Sequence, residues 1–300
     1  MKNTHPFHFL FTLSLVSLLS LTFANTALAA KSDYFVSADF VQNHLDKLKI
    51  IDARGYKAYL KGHLPGAIVT DWQSLSNMDG NSGDKQWGTL AENGRLEKQI
   101  QKLGITNQDA IVVYSDTPNG WGEEGRIAWS LISAGFSNVK LLDGGYPNWQ
   151  QKNYSTSLLP ALFIKDSDFV INVRDNSLTI NTSTLQENYT RITLIDTRTE
   201  EEFKGATNYG ETRGGHLPGA INIPFNHLLN DDGTLKSGQE IETLMAKAGI
   251  SKDSDIVTYC TAGIRSAHML IALKAAGYRN VRNYDQSYYR WAALPYTRVE

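Results

Sequence analysis

Cys260, Arg265 and Ser266 are the residues whose types and spacing can do covalent chemistry. They belong to Cys260-Thr261-Ala262-Gly263-Ile264-Arg265-Ser266, and Cys260 is the only cysteine of the 300-residue chain. A thiolate rather than a thiol is the nucleophile, and an ordinary cysteine with a pKa of about 8.5 is mostly protonated at neutral pH. The loop has the means to change that. It follows the apolar run Asp255-Ile256-Val257-Thr258-Tyr259 and precedes a helical stretch ending at Gly277, so its N–H groups can converge on one point while the helix presents its positive end. Arg265 adds a full charge. Gly263 permits a turn with positive φ and a close backbone approach, and Ser266 is expected to cap the helix and offer a hydroxyl. The ordinary alternative for a lone cysteine is a small buried hydrophobe; glycine and arginine at these positions favour a nucleophile cradle instead.

Such a loop works only if a strand and a helix hold its two ends, and the sequence supplies that frame twice. Ile50-Ile51-Asp52-Ala53-Arg54 returns as Leu194-Ile195-Asp196-Thr197-Arg198, and Gly62-His63-Leu64-Pro65-Gly66-Ala67-Ile68 returns as Gly215-His216-Leu217-Pro218-Gly219-Ala220-Ile221. Ile111–Ser115 matches Ile256–Cys260, and Ser133–Val139 matches Ala275–Val281. Four stretches recurring in the same order indicate a duplicated domain. Short apolar strands such as Ile111–Tyr114 and Asp255–Tyr259 alternate with helical segments such as Arg126–Ala134 and Ala267–Ala276, which end at Gly135 and Gly277. This alternation predicts an α/β fold with a mainly parallel sheet and helices on both faces in each copy, with ligands beyond the carboxyl ends of the strands. The predicted division is residues 31–150, a linker region at 151–170, and residues 171–300.

The strand, the Cys-x-x-Gly-x-Arg-Ser loop and the helix resemble the active-site loop of the rhodanese family of sulfurtransferases, and the Asp-x-Arg and Gly-His-Leu-Pro-Gly-Ala motifs of both copies are shared with it. The resemblance covers most of residues 34–295. It implies a tandem-domain sulfurtransferase in which the second copy acts: Cys260 takes sulfane sulfur from an anionic donor, thiosulfate or 3-mercaptopyruvate, and passes it as a persulfide to a thiophilic acceptor such as cyanide, a thiol or a protein. Thr261, Ala262, Gly263 and Ile264 would cradle the sulfur, Arg198 of the Asp-x-Arg motif and Arg213 of the insert after it would bind the donor, and no metal or organic cofactor is required. An uncharged Thr261-Ala262 and an available Arg213 favour 3-mercaptopyruvate; Arg265 keeps thiosulfate open. Cysteine phosphatases and arsenate reductases are the rival enzymes, but the phosphatase loop holds five residues between cysteine and arginine, against four here. An exported persulfide relay with little turnover needs the same loop and stays open.

The first copy has Ser115 where the second has Cys260, followed by a longer stretch that includes Glu123 and Glu124. Serine cannot carry a persulfide and carboxylates repel an anion, so this copy is expected to be scaffold. Its Trp121, Trp129 and Trp149 are expected in the core or between domains, and His63, His216, Asp52 and Asp196 in structural roles. One departure from the family pattern stands out: Asp143-Gly144-Gly145-Tyr146 becomes Asp285-Gln286-Ser287-Tyr288, which puts the turn geometry in question, and Arg290 follows nearby.

Composition closes off other functions. With 29 Lys and Arg against 31 Asp and Glu, no basic excess points to nucleic acid or anionic lipid, and no Cys/His clustering suggests zinc. Residues 1–29 carry only Lys2 as a charge, an apolar run from Phe9 to Phe23 and Ala27-Leu28-Ala29. That pattern reads as a secretory signal peptide cleaved after Ala29, with export to a bacterial periplasm and no membrane association afterwards; an N-terminal membrane anchor is the alternative, and Asn181-Thr182-Ser183 and Asn188-Tyr189-Thr190, which fit the glycosylation pattern, leave a eukaryotic secretory route open.

Overall fold

The computed structural model describes Met1, residues 30–161 and residues 164–300; the signal-peptide expectation lies outside the described residues. β-branched and aliphatic runs form two five-stranded sheets. The first contains β1 (Phe35–Val36), β2 (Leu48–Asp52), β3 (Ile68–Val69), β4 (Ala110–Tyr114) and β5 (Val139–Leu142), in the order β1-β5-β4-β2-β3. The second contains β6 (Thr179–Ile180), β7 (Thr193–Asp196), β8 (Ile221–Asn222), β9 (Ile256–Tyr259) and β10 (Val281–Tyr284), in the order β6-β10-β9-β7-β8. All pairings within both sheets are parallel, so the duplicated α/β architecture is present. The central strands are apolar on both faces because helices cover both; β9 is buried along its whole length.

Each central strand feeds its helix through a loop at its carboxyl end. The helices following β4 and β9 span Glu123–Ser133 and Ile264–Ala275, each beginning three residues earlier than the sequence pattern indicated. Their N-caps are Gly122 and Gly263, both left-handed. Ser266 therefore does not cap its helix. It lies inside the first turn, and its hydroxyl donates to Asn283 Oδ1 at 2.7 Å.

The two helices pack against each other and join the domains. A methyl at Gly125 would stand 2.4 Å from His268 Cα, so only glycine allows this approach. One apolar cluster runs from Ile51 and Trp129 in the first domain to Leu270 and Leu273 in the second, and Trp129 Nε1 donates across the boundary to the Leu178 carbonyl at 3.2 Å. The linker lies against the first domain: Phe169 stacks on Phe136, and Gln101 donates to the Phe169 carbonyl at 2.8 Å.

Candidate active site

The Cys260 loop folds as its residues demand. Gly263 has φ +79°, and a Cβ there would meet the Asp285 carbonyl oxygen at 2.8 Å. Glycine lets the chain turn back so that its own N–H donates to Cys260 Sγ at 3.1 Å. The thiol is 1% exposed. Burial pushes its pKa up, but the Arg265 charge and the N–H groups of the loop outweigh that and hold it below the ordinary thiol value. Ser266 Oγ approaches the sulfur at 3.7 Å; its single proton goes to the shorter bond with Asn283, so this contact is the weaker aid. Asn283 Nδ2 also donates to the Gly263 carbonyl at 3.2 Å, fixing the loop from β10.

Ser287 resolves the departure noted in the sequence. It takes φ +53° where its counterpart Gly145 takes +59°, so the turn is kept by a serine in a conformation that side chains rarely adopt, at a cost of about 1 kcal/mol or more. The hydroxyl repays this locally: it accepts from the Cys260 N–H at 3.1 Å and donates to the Tyr284 carbonyl at 3.0 Å. Sequence reasoning saw the anomaly but not its use.

Arg265 faces the same cavity as Cys260, yet it is not a free cation. Its two Nη atoms donate to Glu202 at 2.6 and 2.7 Å, and Nη2 also donates to Thr261 Oγ1 at 2.9 Å. Glu202 ties down its own helix as well, through a capping box with Thr199. That Thr-x-x-Glu spacing was visible in the sequence; its link to the arginine was not. Burial pushes the Glu202 carboxyl up, but Arg265 more than compensates and the carboxyl stays ionised below its usual range.

Two predicted donor-binding residues require correction. Arg198 is completely buried, paired with Asp196 at 2.6 Å and donating to the Gly215 carbonyl at 2.8 Å. Arg54 does the same in the first domain, with Asp52 at 2.6 Å and the Gly62 carbonyl at 2.7 Å. An identical clasp in a copy that has no cysteine is structural. Arg213 spends its guanidinium on the carbonyls of Trp291, Ala292, Leu294 and Thr297 and on the Thr297 hydroxyl, holding the C-terminal segment. Neither lines the cavity, and Arg290 is likewise engaged elsewhere, with the Gly83 carbonyl at 3.0 Å. His63 and His216 are structural as expected, stacked at 3.6 Å on Tyr59 and Phe203.

The cavity of about 230 Å³ over Cys260 is bounded by Thr261, Ala262, Ile264 and Arg265 on one side and by aromatic rings on the other. Tyr209 and Tyr289 come from the second domain, and Trp72, Trp87 and Trp121 from the first. Trp121 sits between the domains, edge to face with Tyr209 at 5.5 Å and 46% exposed, whereas Trp129 and Trp149 are buried. The first domain's own counterpart of the site is closed: Ser115 Oγ and Thr117 Oγ1 both donate to the buried Glu124, which also faces His268 Nε2 at 3.3 Å.

Comparison with known proteins agrees with this geometry. The family description "Rhodanese-like domain" matches residues 37–152 and again 181–294. The sulfur carrier protein TtuD of Thermus thermophilus is 31% identical over 88% of this chain and 95% of its own length. The thiosulfate sulfurtransferase of Corynebacterium glutamicum is 30% identical over 90% and 91%. Among solved structures, wild-type EanB superposes with a TM-score of 0.81 at 22% identity, covering 91% of this chain and 70% of that one, a likeness of fold.

Proposed function

The chain belongs to the rhodanese family, and from that premise we propose that Cys260 accepts sulfane sulfur from a small anionic donor and hands it, as a persulfide, to a thiophilic acceptor. Sulfur transfer is the common ground of the relatives, named as sulfurtransferases or as a sulfur carrier. The observation that carries the reading is the Gly263 N–H aimed at Cys260 Sγ beneath the Arg265 charge. In the first half-reaction the thiolate attacks the outer sulfur of the donor, a Cys260 S–S bond forms, and the donor remainder leaves with the electron pair. In the second, the acceptor attacks the terminal sulfur and Cys260 returns as thiolate. Splitting one transfer into two substitutions is what a covalent nucleophile contributes, and the same loop donors stabilise negative sulfur in both.

Thiosulfate is the preferred donor in this reading. Of the two grounds for 3-mercaptopyruvate, Arg213 has its donors occupied by main-chain carbonyls and Thr297, and the uncharged Thr261-Ala262 is the one left. The signal pattern of residues 1–29 supports function in the periplasm as part of this reading. A second reading, a persulfide relay for a protein partner, is favoured by the name of the Thermus thermophilus relative.

The test is sulfur transfer to cyanide with each donor, using wild type and Cys260→Ser. Multiple turnovers with thiosulfate, absent in the variant, are expected. Stoichiometric labelling without turnover selects the relay, and turnover that survives Cys260→Ser overturns the proposal.

A further inference from the structure

The two copies differ in length beside the site. Arg54 and the Gly62 carbonyl it clasps are 8 residues apart, whereas Arg198 and Gly215 are 17 apart, so the copy with the cysteine carries nine more residues between equivalent anchors. The extra chain makes a loop whose stems touch: a methyl at Gly214 would run into the Gly205 carbonyl, so only glycine lets the two ends meet. Compact loops closed in this way keep a shape of their own on the surface. This one is pinned at three points. Arg213 gives its guanidinium to the C-terminal segment, Glu211 accepts from the Tyr209 N–H at 3.0 Å, and the Tyr289 hydroxyl donates to the Tyr209 carbonyl at 2.7 Å.

Within the loop, Tyr209 lies over Arg265. The centre of its ring is 6.0 Å from Arg265 Cζ, and Trp121 of the first domain holds the ring edge to face. Arg265 is 7% exposed and Tyr209 40%, so the ring meets the solvent that the guanidinium does not. Both Nη atoms of Arg265 already face Glu202. What remains of its charge for Cys260 depends on the medium between them, because the interaction of two charges weakens several-fold as the effective dielectric rises from interior values toward that of water. A ring face over the cation keeps water away and adds an attraction of its own. The first copy has no use for such a cover. Counted from the helix N-caps Gly122 and Gly263, Glu124 stands there in the place of Arg265.

We infer that the loop of residues 205–214 is a fixed cover for Arg265, and that Tyr209 is its positioning residue, shielding the guanidinium from water so that its charge acts on the Cys260 sulfur. The consequence for turnover rests on the sulfur-transfer reading; the effect on the resting thiol does not. The ionisable groups around the sulfur and the cover are Arg265, Glu202, Glu211, Arg213 and Tyr289. Burial pushes the Tyr289 hydroxyl up to about 12, so a titration ending near pH ~10 reads the thiol.

Alkylation of Cys260 by iodoacetamide against pH gives two quantities, a midpoint that reads ionisation and a limiting rate that reads access. Cys260 is the only cysteine, so the full chain serves as it is. Tyr209→Ala, checked for an unaltered melting curve, should raise the midpoint by about half a pH unit, which is about threefold less thiolate below it. Tyr209→Phe keeps the ring and should hold the midpoint within about 0.2 pH units of wild type. Trp121→Ala frees one edge of the ring and should raise the midpoint by less than Tyr209→Ala does. With thiosulfate as donor, kcat/KM of Tyr209→Ala should fall about threefold below the wild-type midpoint and recover above the variant's own. An unmoved midpoint in both alanine variants, whatever the limiting rate does, overturns the cover, and so does a Tyr209→Phe midpoint that moves as far as that of Tyr209→Ala. A raised midpoint in a protein that transfers no sulfur to cyanide keeps the cover and removes its part in turnover.

Discussion

At the scale of residues, Cys260 is reactive because two features outweigh the burial of its sulfur: a glycine that turns its own N–H onto it, and an arginine held ready by Glu202. Since the thiolate is the reacting species, its population rises with pH through the thiol pKa. A lowered pKa moves that midpoint to lower pH. Alkylation by iodoacetamide should therefore reach half its limiting rate below the pH of about 8.5 of an ordinary cysteine. Arg265→Gln should raise the midpoint by about one unit or more, because it removes the cation and leaves Glu202 uncompensated beside the sulfur. A midpoint that does not move would mean that the loop N–H groups alone set the thiolate. The cysteine, its glycine and its arginine were legible in the sequence because their chemistry is local. Arg198 and Arg213 were misread because an arginine in a motif looks the same whether it meets a substrate or a carbonyl: the clasp that Arg198 shares with Arg54 shows only in the folded chain, and Arg213 is held by carbonyls 78–84 residues away in sequence.

At the scale of elements, the repeated βα frame was legible because hydrophobic periodicity and glycine punctuation encode it. What the pattern did not carry was the turn after β10. Ser287 holds a left-handed backbone and spends its hydroxyl on the Cys260 N–H. Ser287→Gly should relieve the backbone while losing that bond, leaving stability within about 1 kcal/mol of wild type, whereas Ser287→Ala loses the bond and keeps the strain, costing about 1–2 kcal/mol. Both should slow sulfur transfer. Urea unfolding together with turnover checks the pair, and a Ser287→Ala protein with undiminished activity would show that the hydroxyl does not position the loop.

At the scale of the molecule, the domain without a nucleophile is more than a scaffold: it contributes Trp72, Trp87 and Trp121 to the cavity and reaches into the working loop. Arg126 is completely buried, pairs with Asp285, and donates to the Gly263 carbonyl at 3.2 Å and to the Gly88 carbonyl at 2.8 Å. One side chain thus ties the Trp87 loop to the cysteine loop. Removing one partner of a buried pair leaves a charge unmatched, so Arg126→Met should cost about 3–5 kcal/mol and lower turnover beyond what the remaining folded fraction explains. Normal turnover per folded molecule would confine Arg126 to stability. No residue spacing announces such a bridge, because its partners lie in four separate stretches of chain.

The central claim is that Cys260 itself carries the sulfur. Intact-mass measurement of the protein after incubation with thiosulfate and removal of small molecules tests it without choosing an acceptor. One added sulfur is expected, located on Cys260, absent from Cys260→Ser and discharged by cyanide with release of thiocyanate. A wild-type protein that gains no sulfur from thiosulfate or 3-mercaptopyruvate, or a Cys260→Ser protein that still gains one, would contradict the account.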